Sequence, residues 1–187
     1  MEKLKQKYKN ELNAFAEQKE ANRRLWNIDE PTARLLYFMI NSKAPKRALE
    51  IGTSNGYSTF WLSLGLENHP AELHTIEAFD QRFELAKQNL ESRKNVIQHF
   101  GKAEHVIPAL DMKFDFVFID AGKIGYIDYI KLLQNKLQDG ALIIADNVVS
   151  HTETVQDYLD FVNNDPNFTT MRLDIGAGLE LSIYRKI

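Results

Sequence analysis

The sequence predicts an α/β protein: a doubly wound, mostly parallel sheet of seven strands, closed by a C-terminal antiparallel hairpin. Three observations point there. From Arg47 to Val162, short apolar runs of strand length alternate with segments of helical period, a pattern that implies parallel strands with helices on both faces. The first of these runs leads through a glycine turn directly into a helix. The last two, Phe168 to Leu173 and Leu179 to Tyr184, are joined across Gly176-Ala-Gly178, a hairpin signal that adds one antiparallel strand.

The elements follow in order. Residues 1–25 are charged and carry Leu4, Tyr8, Leu12 and Phe15 at helical spacing, which reads as one amphipathic helix. Asp29-Glu30-Pro31 starts a second helix with Leu35, Leu36, Phe38, Met39 and Ile40 as its apolar face. Ala48, Leu49 and Ile51 form a buried strand, Gly52 to Gly56 a turn, and Tyr57-Ser58-Thr59 the start of a helix with Phe60, Trp61, Leu62 and Leu64. Strands are then read at 73–77, 96–100, 114–120 and 141–146. Helices are read at 80–90, from 103 to near Pro108, at 126–137 (closed by Asp139-Gly140) and at 155–162.

Composition narrows the class. The 187 residues suggest one domain, and 44% hydrophobic residues are enough for a packed core. A formal net charge of −3 leaves no global basic footprint for nucleic acid. With no cysteine, disulfides and thiolate metal sites are excluded. No apolar run has transmembrane length and the N-terminus is too charged for a signal peptide, so no membrane partner is expected and a cytoplasmic location follows by default.

The chemistry collects at the carboxyl ends of the strands, where open α/β sheets bind ligands. Gly52 and Gly56 flank Thr53-Ser54-Asn55, a turn that aims backbone N–H groups at a nucleotide-like ligand. Glu50 lies inside the strand just before it. Glu77, about 25 residues after Gly52, ends the next strand and suits a ribose diol. Asp120 and Asp146-Asn147 end two later strands. Two carboxylates and a carboxamide are hard oxygen donors of the kind that hold Mg²⁺ or Ca²⁺.

Leu49-Glu-Ile-Gly-Thr-Ser-Asn-Gly-Tyr-Ser58, Thr75-Ile-Glu77, Phe116-Val-Phe-Ile-Asp-Ala-Gly-Lys123 with Tyr126, Ile144-Ala-Asp-Asn-Val148 and Ile175-Gly-Ala-Gly-Leu-Glu-Leu181 together resemble one family. It is the cation-dependent branch of the class I S-adenosylmethionine (SAM) O-methyltransferases, which includes the caffeoyl-CoA and catechol enzymes, and here its bacterial members. The resemblance spans about residues 28–187 and implies a Rossmann-like SAM methyltransferase fold over 1–187, with the N-terminal helices of 1–45 covering the cofactor and acceptor side. Carried over by position, it puts Glu50, Gly52, Thr53, Ser54, Ser58, Glu77, Ala78, Lys102, Ala103 and Asp120 at the cofactor, and Asp120, Asp146 and Asn147 around a divalent cation. Mg²⁺ is the expected ion, with Ca²⁺ or Mn²⁺ as alternatives. Asp120 and Lys123 are then the catalytic residues, with Lys123 as general base toward a small-molecule hydroxyl acceptor.

Three departures are visible. Gly122 and Lys102 stand where many relatives carry an acid, and the 148–154 segment is short, so the acceptor pocket is expected to be open, or completed by the N-terminal helix or a second subunit of a homodimer. His151, Tyr57 and Phe79 are lesser site candidates, and Trp26 and Trp61 read as core or interface. Two other functions share these motifs: methylation of a hydroxylated tRNA base, for which Lys3 to Arg24 offer local positive charge, and SAM binding without catalysis.

Overall fold

The computed structural model describes residues 1–22 and 24–187. Arg23, within the segment read as helical and basic, lies outside the described residues. The seven strands are β1 (Arg47–Ile51), β2 (Glu72–Glu77), β3 (Val96–Phe100), β4 (Phe114–Ile119), β5 (Leu137–Ala145), β6 (Phe168–Leu173) and β7 (Leu179–Tyr184). They form one sheet in the order β3-β2-β1-β4-β5-β7-β6. The first five run parallel, and β7 is antiparallel to both of its neighbours. The mostly parallel sheet with an antiparallel hairpin is the predicted one.

The helices are α1 (Glu2–Lys7), α2 (Lys9–Ala21), α3 (Glu30–Lys43), α4 (Tyr57–Gly65), α5 (Asp80–Asn89), α6 (Ala103–Ala109), α7 (Tyr126–Leu133) and α8 (Gln156–Asn164). Two apolar clusters sandwich the sheet, one under α1 to α5 and one under α6 to α8. β4 feeds both: Phe116 and Phe118 face the first cluster, Val117 and Ile119 the second, as the two-residue period of a strand requires. Each such fully buried side chain stabilises the sheet by roughly 1.5–3 kcal/mol. The strand tips are therefore a firm platform. No helix of the described residues is long and apolar enough to cross a membrane.

Two expectations are corrected. The single helix over residues 1–25 is two, broken at Tyr8, whose backbone leaves the helical region (φ −112°, ψ 30°). The Tyr8 ring is buried edge-on against Phe60 of α4 at 5.7 Å, and its hydroxyl donates to Glu67 at 2.8 Å. Leu4, Tyr8, Leu12 and Phe15 all pack into the α4 cluster, so the same chain covers the stripe. The second correction is at α7, which stops at Leu133 and passes through a 3₁₀ turn at Gln134–Lys136. Leu137 is already extended because it pairs with Phe114. Asp139-Gly140, read as a helix stop, instead lies in a bulge of β5: Phe114 opposes Leu137, but Phe116 opposes Leu142.

α3 starts where expected, with Asp29 Oδ1 accepting the Thr32 N–H at 2.9 Å and Pro31 in the first turn. Strand order reverses between β1 and β4. At such a switch point the connections leave to opposite faces and open a crevice beyond the strand ends.

Candidate active site

A cavity of about 770 Å³ occupies that crevice. Its wall contains Gly52, Thr53, Ser54, Ser58, Glu77, Ala78, Lys102, Ala103, Asp120, Lys123, Asp146 and Asn147. Every residue expected from the sequence is among them except Glu50.

The turn after β1 is built around contact between strand tips. Gly52 has φ +106°, and a Cβ there would lie 2.1 Å from the main-chain oxygen of Asp120. Only glycine allows both the dihedral and the approach. The Gly52 and Thr53 N–H groups donate to Ile76 O at 3.0 and 3.2 Å, tying the turn to β2. Glu77, at the end of β2, accepts from Ser54 N–H at 2.7 Å and from Phe79 N–H at 2.9 Å. Its carboxylate is thereby fixed in direction, with acceptor capacity left over for a ligand.

Glu50 stands behind this wall. It is fully buried, and Oε2 accepts from the hydroxyls of Thr59 and of Thr75, the latter at 2.6 Å, while Oε1 has no partner. Burial pushes its carboxyl up to about 7.

Asp120, Lys123, Asp146 and Asn147 collect at the other end of the wall. Lys123 Nζ donates to Asp120 Oδ1 at 2.8 Å. Asp146 is buried and accepts its neighbour's N–H on Oδ1 at 2.6 Å. Burial, followed by the nearby Asp120 charge, pushes Asp146 up to about 7. Asn147 takes the left-handed conformation (φ +66°), which turns the chain out of β5 directly at the site. Among the described residues, no three His, Cys, Asp or Glu side chains come together as a metal site. The third donor of this set would be the Asn147 carboxamide. Asp120, Asp146 and Asn147 would offer a divalent cation two carboxylates and a carboxamide, while Lys123 already offsets one negative charge there.

The cavity also holds residues that the expected set lacked. Trp26, Asn27, Ile28, Arg82 and Tyr129 line it. Trp26 is 74% exposed and Phe79 62% exposed, with the Arg82 guanidinium over both rings, at 5.6 and 4.8 Å from their centroids. Trp26 is therefore neither core nor covered surface in this chain. Trp61 is core, at 1% exposure. An aromatic in the linker before α3 was the available signal, but its position over the cavity depends on how α2 returns. His151 lines the cavity with Ser150 Oγ 2.9 Å from its Nδ1. Gly122 faces open space, with nothing within 4 Å of a Cβ placed there.

A Rossmann-like α/β protein is thus defined, in which one cavity joins a glycine turn and an acid at the switch point to a cluster of oxygen donors. The profile of the O-methyltransferase family matches residues 2–179, and the chain belongs to that family. A catechol O-methyltransferase of Mycobacterium tuberculosis is 35% identical over 133 residues, covering 65% of this chain and 57% of that protein. The chain spans about half to three-fifths of the length of the curated relatives it matches first, at 50%, 57% and 56%. Among solved structures, a putative caffeoyl-CoA O-methyltransferase from Staphylococcus aureus superposes with a TM-score of 0.85 at 27% identity, covering 97% of this chain and 96% of that one. The O-methyltransferase TomG from Streptomyces achromogenes, solved in complex with SAM, gives 0.80 at 27% identity, covering 86% and 82%.

Proposed function

We propose that this protein transfers the methyl group of SAM to a hydroxyl oxygen of a small acceptor with adjacent hydroxyls, of the catechol type, with a divalent cation at Asp120, Asp146 and Asn147. The observation that carries this reading is one cavity that joins the Gly52–Gly56 turn and Glu77 to the Asp120, Lys123, Asp146 and Asn147 cluster. Its volume of about 770 Å³ is in the upper part of the range of ligand sites, about 300–1,000 Å³, and leaves space for two reactants.

In this reading Glu77 accepts hydrogen bonds from the ribose hydroxyls, and the backbone of the Gly52–Gly56 turn approaches the methionine part. Ala103 meets the adenine through its main chain. The reaction forms an O–CH₃ bond and breaks the S–CH₃ bond, whose electron pair stays on sulfur and leaves S-adenosylhomocysteine (SAH). The acceptor oxygen must lose its proton, and a free phenol titrates near 10, so it needs help at neutral pH. A divalent cation, when bound, supplies that help by favouring the anionic oxygen and fixing its position. Mg²⁺ is the ion proposed for oxygen donors of this kind, and Mn²⁺ or Ca²⁺ are alternatives. Lys123 pairs with Asp120 as an ammonium; once released, it must first give a proton to solvent, and its neutral amine then takes the acceptor proton.

The test is methyl transfer from labelled SAM across a panel of catechols and single-hydroxyl phenols. Methylation of catechols with little on the phenols is expected. Equal rates on both would contradict the two-oxygen mode of acceptor binding.

A further inference from the structure

The side chain of Tyr126 meets the main chain that carries two of the proposed cation ligands and borders Lys123. Tyr126 opens α7 and is fully buried. Its hydroxyl lies 3.2 Å from Ile119 O and 3.1 Å from Asp146 O. Ile119 directly precedes Asp120, so these carbonyls belong to the backbones that carry the two carboxylates.

The sheet itself does not hold those backbones together beyond this point. The β4–β5 ladder ends at the Ile119–Ala145 pair, and its closing bond runs from Asp146 N–H to Ile119 O at 2.9 Å. The next main-chain bonds diverge. Asp120 N–H turns to Ile51 O at 2.9 Å, and Val148 N–H turns to Gly178 O at 3.0 Å. Between them the chain flips through Asn147 at φ +66°. At this last rung, where the two chains part, the Tyr126 hydroxyl adds a second tie: its one proton is shared between Ile119 O, which also accepts the Asp146 N–H, and Asp146 O.

The ring is itself held in place. It packs edge-on against Tyr158, with centroids 5.8 Å apart at 85°. Its face lies 5.5 Å from Lys123 Nζ, within reach of a cation–π attraction. One side chain therefore fixes the main chain at Asp120 and Asp146 and borders the Lys123 ammonium.

We infer that Tyr126 is a positioning residue that sets the separation of the Asp120 and Asp146 carboxylates, and so the affinity of the site for a divalent cation. The inference rests on the cation reading proposed above. Tyr126→Phe keeps the ring, its contact with Tyr158 and its face toward Lys123, and removes only the bridge.

The experiment is calorimetric titration of Mg²⁺ into the SAH-loaded protein, without acceptor, for wild type and Tyr126→Phe. Affinity for Mg²⁺ should fall by roughly 10- to 100-fold, the usual effect of losing a group that orients metal ligands, while SAH affinity stays unchanged and reports an intact fold. A lowered melting temperature with undiminished Mg²⁺ affinity would mark Tyr126 as merely structural and overturn the inference. If wild type itself bound no Mg²⁺ or Mn²⁺, the cation reading would fall and this inference with it. Should Tyr126→Phe not fold, 3-fluorotyrosine at position 126 keeps the hydroxyl and alters its donor strength. A changed Mg²⁺ affinity then supports the bridge, and an unchanged one overturns it.

Discussion

Lys123 Nζ lies 2.8 Å from Asp120 Oδ1, and both side chains are mostly buried, at 17% and 15% exposure. Away from bulk water such a pair is worth more than a surface contact. It also means that the ammonium stands where a cation bound by Asp120 would need part of the carboxylate. In the proposed reading, lysine and metal would compete for the same oxygen, and an arriving cation would release the lysine toward the acceptor.

This sets an expectation for Lys123→Met. Removing the competing charge–charge hydrogen bond, worth about 1.5 kcal/mol, should tighten Mg²⁺ binding by about tenfold, while turnover should fall because the proposed proton acceptor is gone. Calorimetry and single-turnover rates check the two halves. Weaker Mg²⁺ binding in Lys123→Met would show that the lysine supports the metal instead of competing with it.

Glu77 has two duties, accepting from the Ser54 and Phe79 N–H groups and facing the cavity. Glu77→Ala should weaken SAH binding by roughly 1–3 kcal/mol, or about 5- to 150-fold. Equal SAH affinity in the two proteins, measured by calorimetry, would remove Glu77 from the cofactor site.

Gly52 tests the contact between strand tips. In Gly52→Ala the new methyl would meet Asp120 O at 2.1 Å, at a backbone φ of +106°. Strain and overpacking together should cost roughly 2–5 kcal/mol. Thermal melts should show a large drop in Tm, with SAH binding lost. A melt within a degree or two of wild type would mean that the β1 and β4 tips are not locked together.

Glu50 makes stability depend on pH. Folded, its carboxyl holds a proton up to about 7; unfolded, it releases it near 4.5. Between those values the folded state binds more protons than the unfolded one, so this contribution to stability is full below 4.5 and is lost as pH rises through 7. Glu50→Gln cannot ionise. Its advantage over wild type should be absent near pH 4.5 and reach a plateau above about 7, on the order of 3 kcal/mol. The difference in melting temperature between the two proteins across that window is the check. A difference independent of pH would mean that the buried carboxyl stays ionised.

Three strand tips were legible in the sequence because their apolar runs end in a residue that does not belong in a core: Glu77, Asp120 and Asp146. Parallel topology then brings those ends to one edge. Local pattern could not place Trp26 and Arg82, which meet over the cavity only because α2 returns across α4 and α5 lies beside it. It also misjudged residues 134–140, where helical spacing continues but pairing of Leu137 with Phe114 draws the chain into β5. Nor does anything in residues 1–25 show that their apolar stripe is received by Phe60 of α4, against which Tyr8 and Phe15 pack.

Methyl transfer from labelled SAM to catechol in excess EDTA tests the proposed chemistry most directly, with SAH affinity measured in the same buffer. Turnover should disappear, SAH binding should persist, and added Mg²⁺ should restore the rate. Undiminished methylation in EDTA would contradict a role for a cation at Asp120, Asp146 and Asn147.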